Sequence, residues 1–358
     1  MFLNKKPKVH KAYAILVACS GFMILSNNTF ANIEWDLYGR AAVGVGPLND
    51  GDKTENNIYD HGSRVGFRGS NEFDGGIAID WQVESGINID DGSGELASRD
   101  SFIGLGGDFG RFKVGYFGTP VRQIGRNVDM IYGRPGDNRS LIRTDNIDGR
   151  WGGRDPGWDD RWGNSIGYYS PEFSGFNVEL QYSTDPGGGE SSDNPEAYSA
   201  SFNFANELIW AGVGYEEIDK GSTNVNASNP SQLRLGSTIS IMDFAISALY
   251  QRSENQQGID GNDRNVWGVG ANYKLSPRVT VGTQYYQAGS SSLEEETGAE
   301  MLTGEVEYRV QTNTRLYFSV AKTWNEKNSR FDSSRGVLQH TQSGEDSLSA
   351  AVAVRYDF

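Results

Sequence analysis

The stretch "EWDLYGRAAVGV" at residues 34–45 decides how the chain is read. Trp35, Leu37, Gly39, Ala41, Val43 and Val45 form one alternating series, with no charge in it. Glu34, Asp36, Tyr38, Arg40, Ala42 and Gly44 form the other, which carries every charge. Successive side chains of a strand point to opposite faces, so this pattern predicts a strand with one apolar face. The same period recurs at 63–69, 77–85, 99–106, 111–117, 164–169, 176–183, 197–204 and 208–216. It continues at 231–239, 244–252, 265–274, 278–287, 301–309, 314–324 and 347–358, which makes sixteen expected strands.

The connections alternate in length. "NEFDGG", "GDFG", "SPEFSG", "ANE", "SIMD", "LSP" and "QTN" are short. The segments 47–62, 86–98, 118–163, 184–196, 217–230, 253–264, 288–300 and 325–346 are long. Short turns therefore fall at one end of the strands and long loops at the other, the order of an up-and-down β-barrel in an outer membrane. A soluble sandwich also alternates, but it does not usually keep short and long connections in strict order. The polar faces here carry many charges and glycines, which suits a wet lumen. Aromatic residues recur near strand ends, among them Trp35, Tyr116, Tyr182, Tyr285, Trp324 and Tyr356, as in interfacial girdles. In hydrocarbon only a closed sheet leaves no unpaired edge, so the sixteenth strand must meet the first.

The mean hydropathy of −0.55 does not oppose this reading, because alternation averages out polar. After residue 31 no apolar run approaches a membrane helix. Lys5, Lys6, Lys8 and Lys11, the apolar "AYAILVACSGFMIL" (12–25) and "TFA" ending at Ala31 read as a secretory signal peptide, 1–31. A rival reading takes "LVAC" (16–19) as a lipobox that would place a lipid on Cys19. Removing 1–31 takes four lysines and no acid, so the formal charge of −15 becomes −19. That charge excludes nucleic acid as a natural partner. Cys19, the single cysteine, leaves with the signal, so 32–358 carries no disulfide.

At this point the chain resembles a general Gram-negative outer-membrane porin. "LYGR" (37–40), "SRVGFRGSNEFDGGIAIDWQVE" (63–84), "SFIGLGGDFGRFKVGYF" (101–117), "NSIGYYSPEFSGFNVELQY" (164–182) and "VAVRYDF" (352–358) carry the resemblance, in order. It covers 32–358 and implies a trimeric all-β barrel of sixteen antiparallel strands, with a long third loop folded into the lumen. It also implies a homotrimer seated in outer-membrane lipid and lipopolysaccharide, passing small hydrophilic solutes and ions by passive diffusion without a cofactor. Phe358 is then the residue read by the assembly machinery.

The third loop would be 118–163, which ends in "NIDGRWGGRDPGWDDRWG" (146–163) and holds eight Arg, seven Asp, no Lys and no Glu. Rigid forked cations and short anions suit a fixed ring of charge at a constriction. Trp151, Trp158 and Trp162 are candidates to wedge it against the wall. The resemblance implies a basic wall facing the loop, made by Arg40, Arg64, Arg68, Arg111 and Lys113. The competing reading pairs these with inward carboxylates such as Asp36, Asp80 and Glu84. On the loop, Arg122, Arg126, Asp129, Asp137, Asp145 and Asp148 are the candidate charges, and pairing within the loop is the alternative. The family often has a basic residue where this chain has Gly167.

Enzyme chemistry has little support. His61 and His340 are the histidines beyond the signal, both in expected loops, and no metal-spaced cluster occurs. Asp159 and Asp160 could suggest a glycosidase pair, but adjacency in a loop sets no cleft geometry. Two other functions stay open. One is a sugar-selective channel with Tyr38, Trp210, Tyr286 and Tyr317 as lumen aromatics; the other is a secreted soluble β protein. The acidic "SLEEETGAE" (292–300) reads either as a solvated loop or as a divalent-cation bridge to lipopolysaccharide.

Overall fold

The computed structural model describes residues 34–143, 158–187, 195–219, 227–334 and 341–358. The expected signal peptide, Asp145, Asp148, Trp151 and His340 lie outside them. The first half of the chain contains β1 (Glu34–Asn49), β2 (Thr54–Asp60), β3 (Arg64–Phe73), β4 (Ile77–Ile87), β5 (Gly94–Glu95), β6 (Ser101–Gly107) and β7 (Gly110–Gly118). Two helices follow, α1 (Pro120–Val128) and α2 (Arg139–Ile142), then β8 (Arg161–Tyr169) and β9 (Phe176–Ser183). The rest is β10 (Glu196–Ala205), β11 (Ile209–Asp219), β12 (Ser231–Ile241), β13 (Phe244–Glu254), β14 (Arg264–Ser276), β15 (Val279–Ala288), β16 (Ala299–Gln311), β17 (Thr314–Asn325) and β18 (Ser347–Asp357).

Each strand pairs antiparallel with its neighbour, and β18 returns to β1 in the register Val43 to Val354 and Arg40 to Asp357. β2 and β3 both pair with β1, so they form a single stave interrupted at His61–Ser63. β5 is a two-residue stub on β4. The barrel therefore has sixteen staves, as the alternation predicts. Segment 47–62, expected as a loop, carries β2, because its residues extend the ladder along the upper half of β1.

The faces sort as period two requires. Leu302, Val306, Phe318, Val352 and Val354 on β16–β18 point outward and are exposed. Met301, Thr303, Ser319 and Ala351 point inward and are buried. Apolar exposure on the outside is what hydrocarbon stabilises. No described helix is long and apolar enough to cross a membrane. The largest buried apolar cluster lies inside the barrel, where Val128, Leu141 and Ile142 of the helices meet Leu249, Val266, Tyr286 and Met301 of the wall. This cluster thus holds residues 128–142 of the third loop against the inner wall.

Candidate constriction site

Segment 118–163 enters the lumen as a helix, which its lack of strand alternation did not predict. Thr119 caps α1, its hydroxyl accepting from the Arg122 N–H at 3.1 Å, and Pro120 occupies the first turn. Val121, Ile124 and Val128 share one buried face at helical spacing. That face lies against β11 and β12, where Gly214 and Gly236 leave room: a Cβ at Gly236 would stand 2.7 Å from Ile124. Gln123 and Asn127 are exposed on the other face, with Arg126 half-buried between them.

The segment then follows the wall. Gln284 of β15 accepts from the Met130 N–H at 3.1 Å and donates to Asp129 at 3.0 Å and to the Gly136 carbonyl at 2.7 Å. Arg134 reaches Glu305 at 2.5 Å and lies 4.5 Å over the Tyr317 ring. The Gly133 carbonyl accepts from His61 at 3.1 Å. The chain turns back through α2, whose Ile142 carbonyl accepts from Gln251 at 2.8 Å. The described part of the loop therefore runs along β10 to β17, with its tip at His61 between β2 and β3.

Its return is anchored at Asp159, which is fully buried. The carboxylate pairs with Arg139 and, at 2.9 Å, with Arg234 of β12. The Asp159 carbonyl accepts from Arg122 at 3.1 Å and from Arg139 at 2.7 Å. Trp158 and Trp162 pack beside it against Ala197 and Ile218.

The wall candidates lie on β1, β3 and β7, and most carry carboxylate partners. Arg40 donates to Asp357 at 2.9 Å. Arg64 lies 3.5 Å from Glu84, which Arg99 also contacts. Arg68 lies 3.6 Å from Asp36, with its guanidinium 4.8 Å over Tyr38. Arg111 pairs with Asp80. Lys113 instead sits among rings, 4.2 Å from the centre of Tyr169 and 4.7 Å from that of Phe102. Gly167 is its register partner, and Arg111 shares the Phe102 ring with it at 5.2 Å. Arg40, Arg64, Arg99 and Arg161 line a polar cavity of about 260 Å³ at the loop tip, together with Asp60, Asp90 and Asp91.

The loop candidates divide. Arg126 faces the lumen beside Tyr132, its guanidinium 4.9 Å from the ring centre. Arg122 does not reach the opening: it is 1% exposed and belongs to the Asp159 anchor. Asp129 and Asp137 turn inward as well. Asp129 accepts from the Ile131 N–H at 3.0 Å, and Asp137 from the N–H groups of Gly133 (2.7 Å) and Arg139 (2.9 Å). Burial, and then the neighbouring Asp137, push the Asp129 carboxyl well above the usual carboxylate range. Tyr286 and Tyr317 are covered by the loop and do not line the opening, a correction to their reading as lumen aromatics. Sequence reasoning missed Arg99, Arg134, Arg161, Arg234 and Asp159 as site residues. Arg234 was within reach, since it falls on the inward series of 231–239.

A closed sixteen-stave barrel with an apolar outer belt, a charged interior and an inserted third loop is an outer-membrane channel. A family model described as Gram-negative porin matches residues 12–328, and the chain belongs to that family. Among curated relatives, the chitoporin of Vibrio furnissii is 30% identical over 209 residues, 55% of this chain and 54% of that protein. The major outer membrane protein P.IB of Neisseria gonorrhoeae is 27% identical over 186 residues, 49% of each chain. These alignments span about half the length of each relative. Among solved structures, the anion-selective porin from Comamonas acidovorans superposes with a TM-score of 0.79 at 22% identity, over 91% of this chain and all of that one. The trimer form of OmpT from Vibrio cholerae gives 0.66 at 15% identity, over 91% and 99%.

Proposed function

We propose that the protein is a passive diffusion channel of the outer membrane that favours small anionic solutes. The observation carrying this is the fate of the loop acids. All four described acids of 118–163 are engaged locally: Asp129 and Asp137 by N–H groups, Asp159 by buried arginines, and Asp160 by Arg143 at 3.2 Å. Among the described residues, Lys113 and Arg126 face the lumen with no carboxylate within ion-pair reach. Of the remaining wall cations, Arg68 and Arg111 each meet one carboxylate, whereas Arg64 and Arg99 share Glu84 and Arg40 and Arg355 share Asp357, so these groups leave positive charge in excess. Charges lining a narrow pore act at close range and set which ions pass.

A trimer in lipid and lipopolysaccharide, as the family resemblance implies, completes this reading. So does passage of other small hydrophilic solutes limited by size at the loop. The sugar-selective reading loses two of its four aromatics, Tyr286 and Tyr317, to the underside of the loop.

The test is the reversal potential of the trimer in a planar bilayer under a potassium chloride gradient. Chloride permeability above that of potassium is expected. A cation-preferring potential overturns the anion reading and leaves the channel standing; saturable block of the current by oligosaccharides would replace diffusion with selective transport.

A further inference from the structure

The stave formed by β2 and β3 is broken where three residues, His61, Gly62 and Ser63, face only Ala41 and Ala42 of β1. This is a bulge, and bulges re-aim side chains. It is held firmly. The Asp60 carboxylate accepts from the Gly62 N–H at 2.6 Å and the Ser63 N–H at 2.7 Å, and the His61 N–H donates to the Ala42 carbonyl at 2.8 Å. The imidazole is thereby turned into the lumen onto Gly44. A Cβ at Gly44 would lie 2.3 Å from its Nε2, so the seat exists because that residue has no side chain. Tyr59 covers the ring at 4.9 Å between centres and is fixed by its own hydrogen bond to the Ala350 carbonyl at 3.0 Å.

The ring touches the constriction loop at one atom. Nδ1 lies 3.1 Å from the Gly133 carbonyl oxygen. A carbonyl only accepts, so Nδ1 carries the proton. Nε2 is buried with no partner among the described residues. A lone pair there costs little, whereas a second N–H would be a buried donor with no acceptor.

We propose that His61 is a positioning residue for the constriction: its neutral imidazole pegs the loop tip at Gly133 to the barrel wall, and charging the ring releases the tip. This rests on the channel reading and is independent of anion preference. The charged groups facing the ring are Asp60 in the bulge, Asp90 in the 88–93 turn and Arg134 in the loop tip; Asp91, Asp137, Arg40, Arg64, Arg99, Arg139 and Arg161 line the same cavity, the carboxylates and the guanidinium groups opposing one another there. The carboxylates attract a charge on the ring, and the guanidinium groups repel it. The decisive element is Nε2, which can keep a second proton only by leaving its seat on Gly44. The tip stays attached elsewhere, through Arg134 to Glu305 and from the Gly136 N–H to the Ser333 carbonyl at 2.8 Å. Release therefore frees one side of the tip and leaves the loop in the lumen.

The experiment records open-channel current noise and conductance of single trimers at about pH 7.5 and about pH 4.5, the lower value chosen because burial holds the ring's titration below the ordinary imidazole range. The wild-type channel is quiet at the higher pH and noisier at the lower. His61→Asn keeps an N–H donor that does not titrate, and should be quiet at both. His61→Ala should be noisy at both. Gly44→Ala, which fills the seat, should resemble His61→Ala while still migrating as a folded trimer. An acid-induced change of the same size in His61→Asn and wild type overturns the proposal. So does a His61→Ala channel as quiet as wild type at the higher pH. A reversal potential measured on the same channels reports the anion preference separately.

Discussion

Arg234 on the barrel wall and Asp159 at the end of the constriction loop meet at 2.9 Å with both side chains completely buried. Arg234 also donates to the Val121 carbonyl at 3.1 Å and to Gln251 at 2.7 Å. One guanidinium thus ties the start of the loop, its end and the wall together. Breaking a buried pair from one side costs about 3–5 kcal/mol, because the surviving charge stays buried. Asp159→Asn leaves Arg139 and Arg234 in that position. The staves keep their ladder, so the loss should appear as a displaced loop. Higher single-channel conductance and faster entry of larger sugars into liposomes are expected. A correctly assembled trimer with wild-type conductance would rule out this anchor.

The wall arginines differ in how much field each lends the opening. Arg68 has a side chain 33% exposed, against 11% for Arg40. Converting Arg40, Arg64 and Arg68 together to Gln should move the reversal potential toward cations, with Arg68 contributing most. Arg252→Gln is the control. It sits on the outer face within a surface network with Glu254 and Asp263, where salt screens it. Equal shifts from both sets would remove the confined-charge account.

Asp332 lies in the segment after β17, where burial pushes its carboxyl up to about 7 and the Thr341 hydroxyl donates to it at 2.5 Å. A folded-state value above the unfolded one means that the folded loop binds the proton more tightly. Its contribution is therefore fully present below the ordinary carboxylate pKa and is lost as pH rises toward 7. Hydrogen-exchange protection factors of 326–334 and 341–346, corrected for the intrinsic pH dependence of exchange, should fall between about pH 4 and pH 7 in the wild type, by this linkage. Asp332→Asn should flatten that dependence, and an unchanged slope in the variant would exclude Asp332 as its source.

Phe358 continues the closing ladder beyond β18. Its N–H donates to the Gly39 carbonyl at 3.1 Å, the Gly39 N–H returns to its carbonyl at 2.8 Å, and its ring stacks near Tyr356. Removing it deletes both bonds at the seam. Reduced surface-exposed trimer and more periplasmic degradation product are expected by quantitative blotting; normal surface levels would deny it a role in assembly.

The staves were legible because period two is a local property, visible within six residues at Trp35–Arg40. The long connection at 118–163 was legible from length, while its folding into the lumen came only as what the porin resemblance implies. Arg40, Arg64 and Arg68 were expected on the inward face because they follow the alternation of β1 and β3. Their partners were legible in part: Asp36 and Glu84, named in the competing reading, are the carboxylates that Arg68 and Arg64 meet. Arg40 bonds Asp357, 317 positions away, and no local pattern encodes that pair. The loop failed differently. Thr119, Pro120 and the spacing of Val121, Ile124 and Val128 announce a helix, but a search for alternation passes over it. The direction of Asp129 and Asp137 depends on which backbone N–H groups the turn presents, and that exists only once the chain has folded.

The seam between β1 and β18 also governs when the barrel can form. Bringing residues 317 positions apart into contact costs roughly 5 kcal/mol of chain entropy. No early local contact offsets that cost, so closure belongs late in folding. Until then the sheet has two open edges, each a row of unsatisfied N–H and C=O groups ready to pair with another chain. The same seam that makes the finished barrel edgeless makes its precursor sticky, and the time between synthesis and closure is when this protein most needs to be kept from its own copies.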